Sequence, residues 1–154
     1  MSDINGAVGD LKQLYLEFFT RVLRRVRELG IDTRRTARAR QFLPIATGRA
    51  GFSIVAEFLD KDRRLFVLLY IGTPDEDFNK HAFDQLVAQR DRLERELGAS
   101  LEWRRLDDKR ACRVLVRGDG TAHSRPDVLE NMSNWAVEQM LSFKQVFESR
   151  IANL

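Results

Sequence analysis

Leu65-Phe66-Val67-Leu68-Leu69-Tyr70-Ile71 is apolar throughout, and Thr73-Pro74-Asp75-Glu76 follows almost at once. An unbroken apolar run of this length reads as a central strand covered on both faces. Thr73-Pro74-Asp75-Glu76 reads as a capping box, with proline at the first helical position. A buried strand therefore hands over directly to a helix, and the rest of the chain can be read outward from that junction.

Toward the N-terminus, Asp60-Lys61-Asp62-Arg63 is a turn. Before it, Gly51 to Leu59 alternates as a strand does, with Phe52, Ile54, Ala56 and Phe58 on one face and Ser53, Val55 and Glu57 on the other. Gly48-Arg49-Ala50-Gly51 is a second turn, whose glycines permit positive φ. Phe42 to Thr47 is a further strand. Upstream, Leu11, Tyr15, Phe18, Val22, Val26 and Leu29 recur at helical spacing, which predicts a helix from about Val8 to Leu29 ended by Gly30. Ile31 to Arg40 has no periodicity and reads as an exposed arginine-rich connector.

Toward the C-terminus, Phe78, Ala82, Leu86, Leu93 and Leu97 predict one long helix ending at Gly98. Asp91 with Arg95 and Arg92 with Glu96 support its outer face. Leu101 and Trp103 begin a hairpin that turns at Asp107-Asp108-Lys109-Arg110 and returns through Cys112, Val114 and Val116. A loop from Gly118 to Arg125 leads to Pro126 and a last helix running to about Ile151, with the stripe Leu129, Met132, Ala136, Met140, Phe143, Phe147 and Ile151. The order is αβββαββα. Strands joined by short turns form an antiparallel meander, so the class is α+β, a mainly antiparallel sheet with packed helices. Which face each helix covers is open at this stage. With no repeat and no linker, residues 1–154 read as a single domain.

Composition narrows the function classes. The 154 residues are 44% hydrophobic and 32% charged, which excludes a disordered or collagen-like chain. No apolar run approaches a membrane span, and MSDINGAVGD has no signal-peptide core, so a soluble, cytoplasmic protein without a membrane partner is expected. The formal charge of +3 hides an asymmetry. Residues 21 to 49 hold nine arginines against Glu28 and Asp32, a local charge of +7. Arginine outnumbers lysine 21 to 5, and its planar fork suits phosphate oxygens. Arg24, Arg27, Arg34, Arg35, Arg38, Arg40 and Arg49 are thus the candidate contacts to DNA or RNA; the alternative is a merely solvated face.

Catalytic chemistry is thinly represented. Cys112, alone and mid-strand, reads as a core residue. His81 and His123 lack any motif context. Three Cys or His residues in total cannot make a structural zinc site. Asp60 and Asp62, Asp75 to Asp77, and Asp107 and Asp108 stand where turns and helix starts want acids. No phosphate loop or dinucleotide fingerprint is present, although Gly48-Arg49-Ala50-Gly51 offers amides and a guanidinium to an anion. Trp103 beside Arg104 and Arg105 suggests base stacking or ordinary sheet packing. No metal, cofactor or catalytic residue is expected, and enzymatic activity is not.

The order αβββαβ is also the core order of restriction-endonuclease-like nucleases. That similarity implies an acid at the end of the second strand, where Asp60 stands, and an acid-x-lysine triplet on the third. Leu65 to Ile71 has neither acid nor lysine, which points to a degenerate nuclease at most.

Several stretches together resemble a known family. They are Leu43-Pro44-Ile45 with Gly48-Arg49-Ala50-Gly51-Phe52, then Val67 to Ile71, Phe83-Asp84-Gln85-Leu86, Glu96-Leu97-Gly98, Leu101-Glu102-Trp103 and Lys109 to Val114, with Trp135 and Phe143 in the last helix. The pattern, from about Tyr15 to Ile151, is similar to the domain of unknown function DUF4268. The resemblance implies no catalytic residues. It implies a nucleic-acid setting, because some members carry the domain behind a nuclease-like domain, and hence a nuclease-like or other protein partner. The family favours an acid where Leu68 stands here, which further weakens a catalytic reading. The expectation is a non-catalytic nucleic-acid-associated module. The alternative is a protein-interaction or self-assembly domain, with a homo-oligomer as one form.

Overall fold

The computed structural model describes residues 4–154; residues 1–3, at the start of the stretch read for a signal sequence, lie outside it. The elements are α1 (Ile4–Glu28), β1 (Phe42–Ala46), β2 (Phe52–Leu59), β3 (Arg64–Ile71), α2 (Glu76–Val87), α3 (Arg90–Leu97), β4 (Glu102–Arg104), β5 (Cys112–Thr121) and α4 (Pro126–Ala152). The five strands form one sheet in the order β1-β2-β3-β5-β4, with every neighbouring pair antiparallel. The α+β class and the expected order hold, with the second helix broken in two.

β3 is central, as its uninterrupted apolar run predicts. Its alternation divides the molecule. Leu65, Val67, Leu69 and Ile71 join Ile54, Phe58, Val114 and the stripes of α1 and α4 in the main core. Tyr15, Phe18 and Phe19 of α1 surround the Phe58 ring at centroid distances of 5.5, 5.0 and 5.9 Å. α4 packs across β2, β3 and β5 and against α1 and α3. The helices therefore lie on one side of the sheet.

The opposite side is different. Val55, Leu59, Phe66, Leu68 and Leu115 form a separate cluster, joined by Phe42 and Tyr70. All are strand residues, and among the described residues no helix contributes to this cluster. Phe66, Leu68 and Leu115 are nonetheless fully buried. Long polar side chains replace a second helical layer.

Three local expectations change. Asp75, not Thr73, caps α2: its carboxylate accepts from Phe78 N, and Pro74 precedes the cap. Thr73 is drawn away because its N–H and hydroxyl both engage Asn79 Oδ1, at 3.1 and 2.5 Å. The single helix expected up to Gly98 breaks at Ala88 and Gln89, where Gln89 N closes a tighter turn on Leu86 O. Arg150 of α4 fastens that break, donating to Gln89 Oε1 at 3.1 Å and to Glu96. Finally, β5 continues through the glycines expected in a loop. Gly118 and Gly120 carry no side chain because Trp135 and Met132 of α4 occupy that space.

Candidate nucleic-acid interface

The seven candidate arginines do not form one patch. Arg24 and Arg27 are exposed on α1. Arg27 reaches back to the connector, donating to Thr33 O at 3.3 Å and to Arg35 O. Ile31 and Ala37 pin the same segment to the core. Arg34, Arg35 and Arg38 are exposed, and among the described residues they make no ion pair. Arg34 and Arg35 share a cleft of about 540 Å³ with Lys144 and the edge residues Ile45 and Ala46.

Arg40 leaves the connector for the sheet. Its guanidinium carbon lies 4.2 Å from the centroid of the Phe42 ring, on the helix-free face. It begins a series of such stacks. Arg113 lies over Tyr70 at 5.8 Å, and Arg104 and Arg117 each lie over Phe66 at 5.3 Å. A guanidinium is weakly hydrated and attracted to a ring face, so it can roof an apolar surface.

The roof has an anchored half and an unpaired half. Asp60 holds Arg104 in a bidentate pair, with both contacts at 3.2 Å. Glu102 accepts from Arg104 at 2.8 Å and from Arg117 at 2.9 Å. Burial pushes the Glu102 carboxyl up, but its hydrogen bonds to the two guanidiniums outweigh burial and hold it below the ordinary value. Asp60 is thus engaged with an arginine. Among the described residues, no three His, Cys, Asp or Glu side chains gather as metal ligands.

At the other half, toward β1, Arg40 and Arg113 have no ion-pair partner among the described residues. On this half lies a pocket of about 340 Å³ lined by Phe42, Pro44, Ser53, Val55, Glu57, Tyr70 and Arg113. Glu57 is 8% exposed. Burial pushes its carboxyl up; the Arg113 charge and the Gln41 side chain pull it back without cancelling the effect. The Nε of Arg113 is buried and has no hydrogen-bond partner.

Arg49 has another role. It donates from Nη1 to Ile151 O at 2.8 Å and to Leu154 O at 2.7 Å, between the rings of Phe52 and Phe78. It adds a charged donor at the C-terminal end of α4, to Leu154 O and to Ile151 O, which also accepts from Leu154 N. The Gly48–Gly51 turn thereby serves packing: Gly51 has φ +85° and sits so close to Thr73 that a Cβ would meet Thr73 Cγ2 at 2.5 Å. Trp103 lies on the helix side, edge-on to Phe83 at 5.9 Å, so it is not on the open face. Cys112 is buried, and burial pushes its thiol up against the opposing influence of Lys80. His81 and His123 are exposed.

Sequence reasoning missed Glu57, Tyr70, Arg113 and Arg117, because alternation marks a polar strand residue as solvent-facing without saying what it faces. It also missed Asn79 and Lys80. Lys80 is buried and donates to Arg105 O, Leu106 O and Ala111 O at 2.6, 2.8 and 3.0 Å, tying the β4–β5 hairpin to α2. Two adjacent polar residues beside the Phe78 and Ala82 stripe were the available signal.

Among the described residues, no helix is long and apolar enough to cross a membrane. No curated protein and no solved structure matches the chain. A family profile described as a domain of unknown function matches residues 14–151, which takes in all but the last residue of α4 and more than half of α1, together with every element between them. The chain belongs to the DUF4268 family.

Proposed function

We propose that this protein is a non-catalytic nucleic-acid-associated module. The connector arginines Arg34, Arg35 and Arg38 contact phosphates, and the helix-free sheet face receives bases. One observation carries this reading. The connector ends at Arg40, which lies on that face over Phe42, so unpaired guanidiniums lead directly onto a surface of rings. Arginines along a strand's backbone and aromatic rings under its bases are the two components of single-strand recognition. Arg49 is left out of this interface because its guanidinium is taken up by α4.

The test is a titration of labelled single- and double-stranded DNA and RNA at several salt concentrations. Micromolar binding that weakens steeply with salt is expected. The triple variant Arg34→Ala, Arg35→Ala, Arg38→Ala should weaken binding to every sequence and flatten the salt slope by roughly 0.7 per lost contact on a single strand. Unchanged affinity and slope in that variant would remove the connector from the interface.

A second reading is a self-assembly or protein-interaction domain, with the same helix-free face or the β1 edge meeting another subunit. The apolar cluster beneath the arginines favours it. A mass that stays monomeric at every concentration in light scattering counts against self-assembly.

A further inference from the structure

Glu57 and Arg113 line one pocket, yet they do not pair. Elsewhere on this face the acids are matched to arginines: Asp60 and Glu102 bind Arg104 and Arg117 at hydrogen-bond distance. Register explains the gap. Glu57 of β2 stands opposite Phe42 on one side and Phe66 on the other, whereas Arg113 of β5 stands opposite Tyr70. A strand lies between the two charged residues, and the ring of Tyr70 supports Arg113 rather than directing it toward Glu57. The pocket thus holds a carboxylate that can only accept on one side and, on the other, a guanidinium whose Nε is sealed by burial and whose terminal nitrogens have no partner among the described residues.

A ligand that satisfies both needs adjacent donors facing the acid and acceptors facing the arginine. It must also be flat, because Phe42 and Tyr70 border the site. Among the bases, only guanine presents two neighbouring donors, N1–H and the N2 amino group, with acceptors at O6 and N7. Adenine and cytosine place an acceptor beside their amino group, where it would meet the carboxylate lone pairs. Thymine and uracil set a carbonyl on each side of a single N–H. A volume of about 340 Å³ is at the small end of ligand sites and suits one base.

We propose that this pocket binds an unstacked guanine base, with the Glu57 carboxylate accepting from N1–H and the N2 amino group and the Arg113 guanidinium donating to O6 or N7. The inference deepens the nucleic-acid reading: the connector supplies contacts blind to sequence, and this pocket supplies the one that depends on the base. Because a guanine seated here is unstacked, the ligand is a single strand.

The experiment measures anisotropy of a labelled strand of about eight thymidines, a length typical of single-strand sites, and of strands in which one central thymidine is dG, dA or dC. The dG strand should bind about tenfold more tightly, ~1.4 kcal/mol, while the dA and dC strands stay within about twofold of oligothymidine. Glu57→Gln, whose amide offers a donor where guanine needs a second acceptor, should abolish the dG-to-thymidine affinity ratio, as should Arg113→Met if the first variant fails to fold. Guanosine monophosphate is titrated separately by calorimetry. Oligothymidine binding with no gain from dG overturns the guanine pocket and leaves the nucleic-acid reading standing. Saturable guanosine monophosphate binding without strand binding supports the pocket and overturns that reading. Binding of neither overturns both.

Discussion

Replacing Arg49 with alanine separates the two roles open to an arginine in the basic segment. The structure makes Arg49 a clasp between the β1–β2 turn and the end of α4, through two hydrogen bonds of 2.8 and 2.7 Å and stacks at 5.3 and 5.1 Å on Phe52 and Phe78. Hydrogen bonds from a charged donor are worth ~1.5–3 kcal/mol, and the half-exposed site with one nitrogen serving both carbonyls places the pair near the lower end. Stacking at a partly exposed site adds ~0.5–1 kcal/mol. Arg49→Ala should therefore lose about 2–3 kcal/mol, which for a chain of this size is a fall in Tm of roughly 5–10 °C. Arg49→Lys keeps the charge but not the planar fork, and should lose about half as much. Arg34→Ala, which removes an exposed side chain, should stay within about 0.5 kcal/mol of the parent. Urea denaturation of the three variants measures the differences. At a temperature where all are folded, Arg49→Ala should keep its affinity for nucleic acid while the connector triple variant loses it. An Arg49→Ala protein as stable as the parent, or one that is stable but no longer binds, would refute the clasp.

Other outcomes follow from the buried polar groups. Lys80→Met keeps the aliphatic stem but removes a charged donor from three carbonyl oxygens, of which Leu106 O keeps the Lys109 N–H, so urea denaturation should show a loss of about 2–3 kcal/mol; a neutral result would mean that the β4–β5 hairpin is held without this lysine. Glu57 is pushed up chiefly by burial, with Arg113 and Gln41 opposing, so its protonated form favours folding. That contribution is complete below the ordinary value of 4.5 and is lost as pH rises through the folded value. Glu57→Gln should therefore be more stable than the parent at pH about 7, with the difference vanishing on acidification below the unfolded value; urea midpoints along a pH series check the sign. Cys112 is buried with a raised thiol pKa, so iodoacetamide should label it only after unfolding, and rapid labelling under native conditions would contradict its place in the core.

Much of this protein follows from local rules. Period-two alternation from Phe52 to Leu59, the unbroken run from Leu65 to Ile71 and the helical stripes of α1 and α4 place each element in order, because pattern and turn chemistry act over a few residues. Local rules also located the basic segment, since charge density is a property of composition. They did not reveal how that segment is used. Arg49 meets Ile151 across 102 residues of chain, and no short-range signal distinguishes it from Arg34. Thr73 lost its capping role to a side chain it meets only once Asn79 is buried against the sheet. Sheet sidedness is likewise a tertiary outcome. The run at β3 demands cover on both faces, but the same run is satisfied by a helix or by a layer of arginines on aromatic rings. Packing of all the helices onto one face left the other to Arg40, Arg104, Arg113 and Arg117, and with it the gap between Glu57 and Arg113. Burial turns ordinary strand alternation into an acid and an arginine that line one pocket without pairing, and burial depends on the whole chain.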